Sequence, residues 1–198
     1  MATQKRQRIG IWIIAGVLLV GTIGSFFAMI LQGKNDRNDQ QTQQKMIDEY
    51  KKKLAEAQKQ ADELSTKYYP EFSQYKNAPA AFDAGTVGDK VGMKDLKLGD
   101  GAELKADTKY KAYYIGWNPK GATFDSSFDG EKLKAPIDTS LEGVSLIDGW
   151  NQGVVGMKVG GVREITIPSD LAYKDQGKGD EVPPNTPLKF IVMIIETK

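Results

Sequence analysis

The 198-residue chain contains no cysteine and no histidine. The first absence excludes disulfide frameworks, thiol nucleophiles and cysteine-based zinc sites. The second removes Ser-His-Asp triads and the one side chain whose ordinary pKa lies near neutrality. Any catalysis must therefore proceed without a group that titrates near pH 7, and no metal or cofactor is expected. A cysteine-free chain fits oxidising and reducing compartments alike. An excess of one charge is also missing, with 27 Lys and Arg against 26 Asp and Glu. Basic residues cluster only at Lys5-Arg6-Gln7-Arg8, so the concentrated basic face that binds nucleic acid is not expected. The length suits one ordinary domain with appendages and is too short for two sizeable cores.

Charge is absent altogether from Ile9 to Leu31. About 20 apolar residues cross a bilayer as a helix, so residues 9–32 are expected to form a transmembrane signal anchor, with Trp12 near one interface. A cleavable secretory signal is the alternative. Its apolar region is usually shorter, about 7–15 residues, and ends at a small-x-small site that is not evident here. Lys5, Arg6 and Arg8 precede the span, and Lys34 and Arg37 follow it. That asymmetry places residues 1–8 as a cytoplasmic basic tail and the remainder outside a cell membrane crossed once.

From Asp36 to Tyr75 the chain is rich in Gln, Lys, Glu and Ala, with no glycine and one proline, Pro70. The composition favours helix, and Asp48→Lys52, Glu49→Lys53 and Glu63→Lys67 are favourable i,i+4 pairs. Residues 33–76 are read as a helical stalk that Pro70 ends or kinks. Ile47, Tyr50, Leu54, Ala57, Ala61, Leu64 and Tyr68 step alternately by three and four, an a/d seam compatible with a coiled coil and a homodimer. The same spacing suits a single amphipathic helix lying against its own domain, or a solvated spacer. Residues 77–90 read as a linker.

Beyond Val91 the signals are short strands separated by turns. Strands are expected at Met93–Lys97, Tyr110–Ile115, Thr123–Asp125, Pro136–Leu141, Val162–Ile167 and Leu188–Ile195. A short helix is expected over Leu146–Met157 despite Gly149, Gly153 and Gly156. This is an α+β domain in which the sheet must cover the helix. Two weaker motifs carry nothing. Asp125 to Gly130 imitates the start of a calcium loop but has Pro136 where the twelfth-position Glu belongs, and Gly177-Lys178-Gly179 is too short for a phosphate cradle.

An ordered series runs through this domain: Tyr113-Tyr114-Ile115-Gly116, Phe124-Asp125-Ser126-Ser127, Ile147-Asp148-Gly149-Trp150, Gly153 to Gly160, Ile167 to Tyr173 and Val182 to Phe190. In order and spacing it resembles the FKBP family of peptidyl-prolyl cis-trans isomerases. The resemblance implies an antiparallel, half-rolled sheet wrapped around one short helix over residues 91–198. It implies rotation about X–Pro bonds in proline-containing, folding polypeptides, and macrolide inhibitors as possible ligands. It also implies a site. Trp150 would floor the proline pocket, and Tyr114, Phe124 and Phe190 would wall it. Leu146 and Ile147 would form its rim, with the Ile147 N–H meeting a substrate carbonyl. Asp125 would stand at the edge near the Tyr114 hydroxyl, Tyr173 would donate its hydroxyl to the ligand, and Val182 would close the loop side.

Three departures from the family pattern stand out. Ile137 occupies a wall position where Phe is frequent, the connection Phe128–Ala135 is longer than usual, and the flap Lys174–Glu181 is charged. Together the segments describe a bacterial, membrane-tethered folding catalyst. A non-catalytic chaperone or binding module of the same fold is the alternative.

Overall fold

The computed structural model describes residues 37–141 and 144–198. The basic tail and the expected transmembrane helix lie outside the described residues, among which no helix is long and apolar enough to cross a membrane. The first helix, α1, spans Arg37–Phe72, and the chain falls into two units that meet within it, the second being Ala61–Lys198. Residues 51–60 are exposed, and Lys53 Nζ lies 3.6 Å from Glu49, an exposed pair of little energetic weight.

Pro70 does not end the helix, which runs on to Phe72 and then tightens into a 3-10 turn at Ser73–Tyr75. An interior proline forfeits one backbone hydrogen bond. Burial offsets that loss here, because Phe72 on the last turn is fully inaccessible to solvent. Tertiary packing, not propensity, decides where this helix stops.

The sheet is antiparallel. Its strands are β1 (Gly92–Lys97), β2 (Tyr110–Trp117), β3 (Thr123–Ser126), β6 (Ile137–Asp138), β7 (Val162–Ile167) and β8 (Leu188–Thr197). The order is β1-β7-β8-β2-β3, with β6 also paired to β2. Between β3 and β6 a separate hairpin forms from β4 (Phe128–Asp129) and β5 (Lys132–Leu133). The second helix, α2, is Asp148–Val154, shorter at both ends than the glycine-interrupted segment suggested. The strand expected over Pro136–Leu141 contracts to the two residues of β6.

Period-two alternation sends side chains to two cores. Tyr110, Ala112, Ile165, Ile167, Phe190, Val192 and Ile194 face α2 with Trp150 and Val154. Tyr113, Ile115, Trp117, Val162, Ile191, Met193 and Ile195 face the other way, where Leu64, Tyr68, Tyr69 and Phe72 of α1 cover them. Strand β8 is thus buried on both faces, which explains its unbroken apolar run.

The longer connection has a job in this second core. Phe128 of β4 stacks on Phe72 at 5.2 Å and 10°, and the buried Ser65 Oγ accepts from Leu133 N–H at 2.8 Å. Residues 78–82, expected as linker, also pack there: Trp117 Nε1 donates to the Ala80 carbonyl at 3.0 Å, and Phe82 N–H to that of Pro119.

Tyr113 breaks the pattern of satisfied polar groups, since its buried hydroxyl has no hydrogen-bond partner among the described residues. An unpaired buried hydroxyl opposes folding by roughly 1–3 kcal/mol. Tyr113→Phe should therefore unfold at the same temperature as the parent or higher. A lower midpoint in thermal denaturation would show that the hydroxyl is in fact bonded.

Candidate active site

Four aromatic side chains from three strands and one helix converge on the α2 face of the sheet. Phe190 of β8 is the hub. It meets Trp150 of α2 edge-on at 5.2 Å and 85°, Phe124 of β3 at 5.5 Å and 87°, and Tyr114 of β2 at 6.5 Å and 47°. Tyr114 also stands at 89° to Trp150, 5.4 Å away. Edge-to-face contacts of this kind favour defined angles between the rings.

Backbone requirements explain why these rings can meet. Gly116 on β2 lies opposite Phe190 and Asp125 in the sheet, and a Cβ there would come within 2.5 Å of the Phe190 ring and 3.0 Å of Phe124. Gly149 and Gly153 lie on one face of α2 directly over β7. A Cβ on the first would collide with Ile167, and one on the second would sit 2.5 Å from Ile165. The glycines that weaken the helix locally thus let it lie close on the sheet.

Polar links fix the helix. Trp150 Nε1 donates to the Tyr110 hydroxyl at 2.8 Å, which sets the indole plane. At the other end Arg163 of β7 donates through Nη1 to the carbonyls of Gly153 and Val155, at 2.9 and 3.1 Å, and through Nε to Asp95 at 2.6 Å. A cation on the carbonyls of the last turn favours the helix dipole. Ile147 is the N-cap, and its carbonyl accepts from Trp150 and Asn151. Its own N–H has no acceptor among the described residues.

Around the rings lie the remaining expected residues. Val182 is buried in the α2-facing core, and Ile137, Leu146, Ile147 and Tyr173 pack on it partly exposed. Burial, and after it the charge of Asp125, raises the Tyr114 hydroxyl far above the usual phenol range, so that it keeps its proton. Asp125 itself is partly exposed at the edge.

The sequence profile described as FKBP-type peptidyl-prolyl cis-trans isomerase matches residues 100–195. An FK506-binding protein of Neisseria meningitidis serogroup A is 36% identical over 104 residues, covering 52% of this chain and 93% of that protein. The chain belongs to the FKBP family of peptidyl-prolyl cis-trans isomerases. A probable FKBP-type peptidyl-prolyl cis-trans isomerase of Haemophilus influenzae is 31% identical over 174 residues, covering 84% of this chain and 68% of its own length. The solved peptidyl-prolyl cis-trans isomerase of Pseudomonas syringae pv. tomato is 26% identical, covering 71% of this chain and 95% of that one, at a TM-score of 0.47.

Within this FKBP domain, sequence reasoning missed two residues beside the site. Asn118 is a buried turn residue with every polar atom used. Its Oδ1 accepts from the amides of Lys120 and Ala122, and its Nδ2 donates to the Glu181 carbonyl at 2.7 Å, tying the flap to the β2–β3 turn. Lys178 on the flap reaches Tyr173 and Asp125. The flap's charge was visible in the sequence; where its lysine falls depends on tertiary contacts that local pattern does not encode.

Proposed function

We propose that the aromatic recess formed by Tyr114, Phe124, Trp150 and Phe190 receives the proline ring of an X–Pro bond, and that the isomerase acts from a membrane anchor on folding secreted or membrane proteins. The observation that carries the first part is the set of rings gathered around Phe190, Trp150 and Phe124 edge-on and Tyr114 tilted. Rotation about X–Pro faces a barrier of about 18–20 kcal/mol, caused by amide resonance. That resonance places charge on the carbonyl oxygen, which water stabilises. An apolar recess removes the water, and walls shaped to the twisted amide bind it better than either planar isomer. No proton transfer is needed.

Trp150 would floor the recess and the other three rings would wall it. Leu146, Ile137 and Val182 would complete its apolar lining. The Ile147 N–H would hold a substrate carbonyl, the Tyr173 hydroxyl would donate to another, and Asp125 would contact the bound chain beside Tyr114. The same recess would accept macrolides of the FK506 kind. Ile137 would make one wall smaller and aliphatic, so macrolides that need an aromatic wall there would bind less tightly.

The uncharged segment 9–32 supports the anchor, and the basic residues before it support an outward-facing domain on a bacterial cytoplasmic membrane. The reading is tested on intact cells. External protease should release the sheet domain after the outer envelope is opened, and carbonate-washed membranes should retain the undigested chain. Those membranes should also accelerate a proline-limited refolding phase. Recovery of the chain in the soluble fraction would sink the anchor; membranes that hold the folded chain yet leave the phase unchanged would sink the folding role.

A further inference from the structure

The flap carries one cation into the mouth of the recess. Lys178 Nζ lies 3.2 Å from the Tyr173 hydroxyl, to which it donates, and 3.7 Å from Asp125 Oδ2. It stands 5.2 Å from the centre of the Tyr173 ring and 5.8 Å from that of Phe124. These contacts come from a flap with a defined shape. Lys178 N–H donates to the Val182 carbonyl at 2.7 Å, and Asn185 N–H donates to that of Lys174 at 2.7 Å. The left-handed Gly177, at φ 64°, lies so close under Val182 and Pro183 that a side chain there would collide. With Asn118 holding Glu181, the ammonium is presented to the recess by a braced loop.

We propose that Lys178 is a specificity-determining residue that selects X–Pro substrates carrying a carboxylate within two residues of the proline. The proposal rests on the recess described above being the isomerisation site. Its present ion pair is loose: the Lys178 and Asp125 side chains are 40% and 34% exposed and separated by 3.7 Å. An exposed pair of this kind contributes little, so a substrate carboxylate arriving at the mouth can take the ammonium as a closer partner. Binding the chain also removes water from that contact and strengthens it. The other charges of the flap are Lys174, Asp175, Asp180 and Glu181. They sum to a net negative charge, so a preference for acidic substrates would report Lys178 and not a general basic field.

The test uses the full chain and proline peptides in which Glu, Lys or Leu is placed in turn at each of the two positions on either side of the proline. At one position or more, kcat/KM for Glu should exceed that for Lys by about threefold or more at low salt, shrinking as ionic strength rises. Lys178→Gln should abolish the ratio, Lys178→Glu should invert it, and Lys178→Arg should keep it. Equal kcat/KM for Glu and Lys at every position, or a ratio that survives Lys178→Glu, overturns the proposal. So does a uniform loss on all peptides with the ratio intact, which would mark the lysine as merely structural. Turnover of the Leu peptides reports the recess independently: if those peptides are not isomerised, the site reading itself fails.

Discussion

Replacing Phe72 with alanine is expected to lower the unfolding temperature of the isomerase domain by roughly 10–20 °C, although this residue belongs to the helix preceding the sheet. Phe72 is fully buried, stacks on Phe128 and lies 6.3 Å from Tyr113. Truncating such a phenylalanine costs about 3–5 kcal/mol, a large share of the roughly 5–15 kcal/mol that holds a domain together. Removing the whole brace should do more. A fragment beginning at Asn77 loses Ser65, Tyr68 and Phe72 together and exposes Ile191, Met193 and Ile195. It should give no cooperative transition, whereas one beginning at Ala61, where the second compact unit starts, should unfold near the temperature of the parent. Matching transitions for the two fragments would show that the helix end is only an ornament on a self-sufficient sheet.

The second large effect is on turnover. Gly116→Ala should reduce kcat/KM about a hundredfold with a stability loss of only about 1–3 kcal/mol. The new methyl would collide with the Phe190 ring and press on that of Phe124, so the walls proposed for the recess must shift. Gly130→Ala is the control. It introduces backbone strain, at φ 58° with nothing within 4 Å, and no contact with the rings, so stability should fall slightly and turnover should not. If Gly116→Ala turns over normally, the recess is not the site of isomerisation.

Much of this was legible in the sequence, for identifiable reasons. Val162–Ile167 mixes polar and apolar residues, ends at Pro168, and forms β7 at the expected residues. The apolar and aromatic residues expected at the site lie within or against one core, with Asp125 partly exposed; whether they act together is left to the variants above. What was not legible depended on contacts remote in sequence. Pro70 reads as either the end of the helix or a kink in it until Phe72 is seen buried beyond it. The seam from Ile47 to Tyr68 fits a coiled coil or a self-docked helix equally well; its last members, Leu64 and Tyr68, lie against the sheet of their own chain. The segment Phe128–Ala135 could be recognised as extra, yet nothing local in it says that it clasps a helix. The lysine of the flap was counted as charge and could not be placed.

The strand order has a consequence for how the protein comes into being. Strand β8 lies between β7 and β2, and its partners in β2 come far earlier in the chain, Tyr110 lying opposite Thr197. A ribosome releases a chain from its beginning, so β1, β2 and β7 all emerge before the element that joins them exists. Until residues 188–197 are free, neither hydrophobic layer can close, and the nascent domain is a loose chain with its apolar strands open to other proteins. Folding must then occur in one late step dominated by distant pairings, which is slow. A prolyl isomerase with this strand order is thus a late folder itself.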